Sequence, residues 1–535
     1  MTLFNETLNG KENQISRSRQ THLGSASQAE AIQGWLIDKL AEILEIESSQ
    51  IDVEQNFEDY ALESAEAINL SGDLEDLLGH RLPPTLLWDH QNIAALSQYL
   101  ASLNSSSGQA FNSLEITSTI VPDLSPTKDY TLEIPLENYQ FAEFPEYKKL
   151  LAQQEQVKNL GNGNPFFVPQ ETIVNDRTTV DGRELINFAT YNYIGMCGDP
   201  QVSQAAKDAI EQYGTSACAS RLVSGEKPLH RELERELAEF IGVEDSIVLV
   251  GGHATNVTTI GHLFGKDDLV IYDSLSHNSI LQGCFLAGAS LVAFPHNDTE
   301  ALEKILSDRR HRYQRVLIVI EGVYSTDGDI ADLPAVIALK QKYKTFLMVD
   351  EAHSIGTIGE TGRGISEYYK IDPRNIDLWM GTLSKSFASC GGYIAGSAAL
   401  VEYLKYTAPG FVFSVGMSPP NAAATLAAVR VLKAEPQRAT RLQQQAQLFL
   451  KLAKERGLNT GMSQDSPVIP IIVGDSLKSI KLSQNLFKRG INVPFMFYPS
   501  VPQNGARLRF FITCNHTERQ IHQTIEILAE ELSKL

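Results

Sequence analysis

From Leu185 onward, short apolar runs alternate with helical stretches, and this alternation restricts the possible folds more than any other property of the chain. The runs cover residues 246–250, 269–272, 316–321, 345–350, 378–382 and 393–396. Parallel strands must be joined by long crossovers, usually helices, so the pattern implies an α/β fold. Its sheet should be mostly parallel, with helices on both faces. In such sheets ligands bind beyond the carboxyl ends of the strands, so chemistry is expected in the residues that follow each run. After Pro419 a long helix (421–433) leads to a smaller α+β region with strands near 468–473 and 507–513.

The run Phe346-Leu-Met-Val-Asp350 ends in an aspartate, and His353 lies three residues further on. The run that ends at Thr382 is followed by Leu383-Ser384-Lys385 and then by the glycine pair Gly391-Gly392. A lysine beside Ser and Thr is by itself usually a solvated loop residue. A Schiff-base lysine, an acid for a pyridinium nitrogen and a glycine turn around a phosphate are together what pyridoxal phosphate (PLP) needs from a protein. The earlier runs offer the remaining parts. Gly251-Gly252-His253-Ala254 opens a helix, where backbone amides and the helix dipole suit an anion, although a plain strand-to-helix turn looks the same. His277, after the next run, could lie on a cofactor ring or simply cap a helix. Glu321-Gly-Val-Tyr324-Ser325 ends its run with hydroxyls and a tight turn. Asp350 would keep a pyridine nitrogen protonated, His353 would donate to a ring oxygen, and Lys385 would shuttle protons.

The N-terminal part has a different composition. The chain carries a net charge of -20. Between Gln28 and Leu103 roughly 15 acidic side chains stand against 2 basic ones. Such charge argues against nucleic acid or an anionic membrane as a main partner. Residues 1–27 are polar and read as a disordered leader, followed by a separate acidic module over 28–103. A linker rich in Ser, Thr and Pro is expected over 104–138, and an N-terminal arm of the next domain over 139–185. A large domain over 186–428 and a small one over 429–535 complete the expected division. The five cysteines are scattered, so neither a metal site nor a disulfide framework is indicated. No run approaches the length of a membrane span, and a cytoplasmic location is the default.

In the acidic module, Ile32, Leu36, Ile37, Leu40 and Leu44 fall on one helical face, and a second helix is expected over 64–78. Phe57-Glu-Asp-Tyr-Ala61-Leu62-Glu63-Ser64-Ala65-Glu66 and Leu82-Pro-Pro-Thr-Leu-Leu resemble an acyl carrier protein, a four-helix bundle. That resemblance implies a 4'-phosphopantetheine arm on Ser64, a phosphopantetheinyl transferase to attach it, and basic partner surfaces that read the acidic helix. Ala61, Glu63 and Ala65 depart from the usual Gly-x-Asp-Ser-Leu. Ser64 also suits a plain N-cap, and one serine can do both.

The region from about Asn164 to Leu535 resembles the α-oxoamine synthases, a family of fold-type I PLP enzymes. The motifs are Tyr191-Asn192-Tyr193-Ile194-Gly195, Ser220-Arg221-Leu222-Val223-Ser224-Gly225, Ser276-His277, Val349-Asp350-Glu351-Ala352-His353, Thr382-x-x-Lys385 and Arg507-Leu508-Arg509. The resemblance implies that Lys385 is the Schiff-base lysine, Asp350 pairs the pyridine nitrogen and His277 stacks on the ring. His353 and Ser325 would hold the ring-oxygen side, with Gly252, His253 and Thr382 around the phosphate. Asn192 and Arg509 would clamp the substrate carboxylate, with Arg509 preferred to Arg507. Ser414, in Phe411-Val-Phe-Ser414, would reach the phosphate of a neighbouring subunit, so a homodimer is expected. His253 stands where the family usually has an aromatic residue.

The implied reaction condenses glycine, alanine or serine with an acyl thioester and releases CO2. The fused carrier suggests that the acyl group rides on Ser64 after loading by a polyketide or fatty acid synthase or a similar enzyme. It also suggests a place in secondary metabolism. A PLP aminotransferase or an aldolase-type enzyme is the rival within the same cofactor chemistry, as is a synthase that uses acyl-coenzyme A while the carrier serves another enzyme. A non-catalytic scaffold is the rival of a different class.

Overall fold

The computed structural model describes residues 25–105 and 134–535, apart from 45, 61, 63, 79–81, 83–85, 160–164 and 499. It divides into two compact units, residues 1–129 and 130–535. Most of the expected leader and linker lies outside the described residues. Residues 25–27, read as leader, instead begin the first helix, Ser25–Leu44.

In the first unit that helix is followed by Ser64–Leu78, Leu86–Asp89 and Ile93–Ser105. Ile32, Leu36 and Leu40 are buried against Leu70, Leu74, Leu96 and Leu100, while Ile37 and Leu44 pack at the margin. Apolar side chains at helical spacing thus close a small bundle. Ser64 is the first residue of its helix, and Glu66 lies in the first turn, where negative charge suits the helix dipole.

The second unit opens with a hairpin, β1 (Arg177–Val180) and β2 (Arg183–Asn187), turned at Asp181-Gly182. The main strands follow: β3 (Asp245–Leu249), β4 (Leu269–Asp273), β5 (Ser290–Phe294), β6 (Val316–Glu321), β7 (Phe346–Asp350), β8 (Leu378–Thr382) and β9 (Gly392–Gly396). They form one sheet in the order β3-β9-β8-β7-β6-β4-β5. Strands β4 to β8 run parallel, and β9 alone is antiparallel to both neighbours. All residues of β4, β5, β6, β8 and β9 are buried, as a sheet covered on both faces requires.

Strand β5 is absent from the sequence reading. Its Ser-Leu-Val-Ala-Phe run looks like a continuation of helix Asn278–Ala287, which stops because Gly288 turns left-handed (φ 64°).

The smaller part contains β10 (Val468–Ile472), β11 (Ile491–Asn492), β12 (Phe495–Met496) and β13 (Arg507–Phe511). Strands β10, β13 and β12 make an antiparallel sheet, while β11 adds in parallel to β2 of the opening hairpin. The segment read as an arm is therefore stitched to the C-terminal part through one sheet. Helix Pro419–Ala434 runs across the boundary expected at 428/429.

Two pairings shape the active end of the main sheet. Gly392 is registered with both Leu249 and Thr382, and a Cβ there would come within 2.4 Å of Thr255 Oγ1. Gly252 is equally crowded, since a Cβ would meet Thr382 Oγ1 at 2.7 Å. Only glycine lets helix Gly252–Leu263 begin this close to the strand ends.

Candidate active site

Asp350 ends β7 and is buried. Its Oδ1 accepts the Ala352 N–H at 2.9 Å, and its Oδ2 accepts from Asn256 Nδ2 at 2.9 Å. Asn256 comes from helix Gly252–Leu263 and also donates to Ser279 Oγ at 2.9 Å. Ser279 Oγ in turn lies 2.7 Å from His277 Nδ1. A chain of side-chain hydrogen bonds thus joins the carboxylate to the imidazole. His277 also caps helix Asn278–Ala287, because its Nδ1 accepts the Ser279 N–H at 3.3 Å. Both readings of this histidine are compatible. Burial lowers its pKa and the Lys385 charge lowers it further, while Asp350 opposes the shift. With Nδ1 accepting, the ring proton sits on Nε2. His253, exposed at the helix start, meets this ring edge-on with centroids 6.4 Å apart.

Lys385 lies in the turn after β8, closed by the Ala388 N–H bonding to the Lys385 carbonyl at 2.9 Å. Its Nζ sits 5.6 Å from the centre of the Tyr191 ring. Burial brings the amine down to about 8, Arg509 acts in the same direction, and Asp350 and Glu321 oppose it. Thr382 Oγ1 and Ser384 Oγ are 2.8 Å apart in front of the helix that starts at Gly252.

His353 is buried, and its Nδ1 pairs with Tyr193 Oη at 2.7 Å. Burial holds its pKa well below the usual value, and the charges of Lys385 and Arg509 add to this. Its ring stacks on Phe511.

Arg509 lies in the middle of β13, so the smaller part delivers it to the site. Its Nη1 donates to the Ser325 carbonyl at 2.8 Å, its Nη2 to Tyr191 Oη at 3.3 Å, and its Cζ lies over Phe511. Arg507 has a different job. It is buried and ion-paired with Asp327, and its Nε donates to the Gly505 carbonyl at 2.7 Å.

One expected residue is placed differently. Asn192 spends its amide on nearby backbone: Nδ2 reaches the Val174 carbonyl, ahead of β1, at 3.3 Å and the Cys197 carbonyl at 3.4 Å, and Oδ1 accepts the Cys197 N–H at 3.0 Å. A carboxylate clamp does not fit a side chain so committed. The neighbouring Tyr191 faces Lys385 and Arg509 instead. Ser414, expected to act on a neighbouring subunit's site, is half-buried beside Phe413, which is 87 % exposed.

The pocket suits PLP. A strand-end carboxylate is braced by two donors, the helix N-terminus is free of side chains at Gly251 and Gly252, and a Cβ at Gly251 would meet nothing within 4 Å. Ser276 Oγ and Arg509 Nε are buried with no hydrogen-bond partner among the described residues, as donors awaiting an anion would be.

The sequence matches the family described as Aminotransferase class I and II over residues 183–528. The chain belongs to that family.

Residues 34–100 match the family described as Phosphopantetheine attachment site. The 8-amino-7-oxononanoate synthase of Thermoanaerobacter pseudethanolicus is 37 % identical over 65 % of this chain and 88 % of its own. Serine palmitoyltransferase 3 of Caenorhabditis elegans is 37 % identical over 65 % of this chain and 71 % of its own. Among solved structures, Sphingomonas wittichii serine palmitoyltransferase superposes with a TM-score of 0.70 at 30 % identity, covering 72 % of this chain and 97 % of that one. A structure of SPT with the PLP internal aldimine gives the same TM-score at 31 % identity.

The protein is therefore a PLP-dependent acyltransferase of the α-oxoamine synthase type with a phosphopantetheine carrier domain at its N-terminal end. In this synthase several residues of the site escaped functional assignment from sequence, among them Tyr191, Asn256, Ser279 and Glu321. Glu321 carried a usable signal, since it ends its strand as Asp350 does. Asn256 and Ser279 sit inside helices, and nothing in the sequence marks the hydrogen bonds that link them.

Proposed function

We propose that this synthase condenses a small amino acid (glycine, alanine or serine) with an acyl group carried as a thioester on Ser64 of its own carrier domain, with loss of CO2. The observation that carries this reading is the convergence of Lys385, Asp350, His277 and Arg509 at one strand-end site, in a chain that also bears a carrier. Bound PLP supplies an electron sink for the α-carbon of the amino acid. Asp350 would hold the ring nitrogen protonated, and His277 would lie on the ring face. His353 presents Nε2, with Ser325 beside it, toward the ring oxygen. The helix start at Gly252, with His253, Thr382 and Ser384, would hold the phosphate, and Ser414 of a second subunit would complete the site in a homodimer.

Arg509 takes the substrate carboxylate, with Tyr191 replacing Asn192 as its companion. With PLP bound, Lys385 would take the α-proton as a free amine. The α-carbon then bonds to the acyl carbon, the carbon–sulfur bond breaks, and the departing thiolate takes a proton from water, so that Lys385 keeps the one it removed. The carboxylate leaves as CO2, and Lys385 returns a proton to the same carbon. An amine near 8 is suited to both transfers.

The test is intact-protein mass spectrometry on the full chain. Ser64 is converted to its holo form, loaded with a fatty or polyketide-like acyl group, and offered amino acids one at a time. Loss of the acyl mass with one amino acid and a matching aminoketone in solution is the expected result. An acyl group that stays on through the panel, or free acyl-coenzyme A used equally well by Ser64→Ala and by the intact holo protein, overturns the tethered-donor reading. Keto acid or aldehyde formed from amino acid alone would favour a transaminase or aldolase.

A further inference from the structure

Glu321 is the last residue of β6 and is registered directly with Asp350 on β7. Side chains paired across parallel strands lie on the same face, so two buried carboxyls, 3 % and 4 % exposed, sit side by side behind the cofactor pocket. Asp350 is engaged by Asn256 and Ala352. Glu321 instead turns its Oε1 to the backbone N–H of His277, 2.6 Å away. That N–H opens the turn that fixes where the imidazole lies.

We propose that Glu321 is a positioning residue, held as a neutral carboxylic acid, whose Oε1 anchors the His277 backbone so that the ring seats on the cofactor while Asp350 alone carries the charge facing it. The groups around Glu321 are Asp350 and Asp273 on its flanking strands, Tyr324 on its own segment, and Lys385. Two adjacent buried carboxyls do not both ionise cheaply. Burial pushes Glu321 well above the usual carboxylate range, and the Asp350 charge adds to that, while Lys385 and the His277 N–H act against it. Neutral Glu321 leaves Asp350 as the carboxylate that faces the protonated ring nitrogen, while Asp273 is paired with His296. The inference rests on the reading that His277 lies on the ring.

Glu321→Gln keeps the carbonyl acceptor and removes the ionisable proton, whereas Glu321→Ala removes the acceptor. In the full-length apoprotein, infrared difference spectra of wild type against Glu321→Gln should show the carbonyl stretch of a protonated carboxylic acid lost in the variant. Loss of a carboxylate band instead overturns the proposal. In the holoprotein, Glu321→Gln should keep PLP affinity, visible circular dichroism and the pH titration of the Schiff-base absorbance. Glu321→Ala should weaken PLP binding at least about tenfold and reduce the dichroism. Equal damage from both variants, or none from either, also overturns it. Should Glu321→Ala fail to fold, the infrared band and Glu321→Gln decide alone. His277→Ala separates this idea from the reading beneath it. Unchanged dichroism in that variant removes ring stacking and with it the consequence drawn for the cofactor, while the infrared band still reports the state of Glu321.

Discussion

The two units of this chain handle acid in opposite ways. The carrier unit holds roughly 15 acidic side chains between Gln28 and Leu103, yet among its described residues the buried polar side chains are Ser71 and Ser97. The synthase unit buries Asp273, Glu321, Asp327, Asp329, Asp350 and Glu351 near the carboxyl edge of its sheet. Acid in water costs little to keep and works through its field. Acid in a core must be paired, hydrogen-bonded or neutralised. Each buried carboxyl should therefore show its function as a large effect of mutation, and each exposed one as a small effect on folding and a larger one on recognition.

The largest effect expected is at Lys385. Lys385→Ala should lower turnover by about a thousandfold or more and abolish the Schiff-base absorbance while the carrier still accepts its acyl group. Substantial turnover by this variant would break the assignment of chemistry to the strand-end site. The two arginines of β13 come next. Arg509→Ala should raise the KM for the amino acid by about a hundredfold with little change in stability. Arg507→Ala leaves Asp327 buried without its ion pair and should cost about 3 kcal/mol in chemical denaturation. The opposite pattern would exchange their roles.

These contrasts also show what the sequence carried and what it did not. The alternation of strand and helix, the strand-ending Asp350 and the Lys385 turn were legible because each is a local pattern. Arg509 was preferred over Arg507 by motif alone; the physical difference, an ion pair with Asp327 across 180 positions, is tertiary. Asn192 and Tyr191 are adjacent, and which of them faces the site depends on the carbonyls of Val174 and Cys197, which no spacing rule reports. The hydrogen-bond chain through Asn256 and Ser279 belongs to the same class.

His296 tests the buried-acid side through pH. Its Nδ1 lies 2.8 Å from Asp273 and its Nε2 2.8 Å from Asp329, tying the strand that leads to His277 to the turn that follows Ser325. Burial works against its charge, but the two carboxylates raise its pKa to about 10. A folded pKa above the unfolded value near 6.5 means stabilisation is full below about 6.5 and is lost as pH rises through about 10. His296→Ala should cost about 3 kcal/mol at pH 6 and much less at pH 10.5, as read by denaturant titration. A pH-independent loss would mean the ring acts by packing. Lys385 provides a second titration, since only the neutral amine attacks an aldehyde. Reconstitution of apoprotein with PLP should quicken about tenfold per pH unit below about 8 and level off above it.

The smallest effects on stability are expected on the carrier, and there the acid is the more informative for being ill placed. Helix Ser64–Leu78 has Glu66 in its first turn, where the dipole welcomes it, but no basic side chain in its last turn, toward which Asp73 and Glu75 lie. Glu75 has a structural use, because its Oε1 accepts the Leu82 N–H at 2.8 Å, so Glu75→Ala should cost about 1 kcal/mol. Asp73 lies close enough to Lys39 to raise that amine, though less than Glu42 does. Asp73→Asn should nonetheless change stability by less than about 0.5 kcal/mol, since exposed pairs contribute so little. If Asp73 and Glu66 serve recognition, Asp73→Asn and Glu66→Gln should slow acyl loading or transfer at low salt, and the difference from wild type should fade as ionic strength rises. Unchanged, salt-independent rates would show that this acid only solvates the surface, and the contrast between the units would reduce to one of burial.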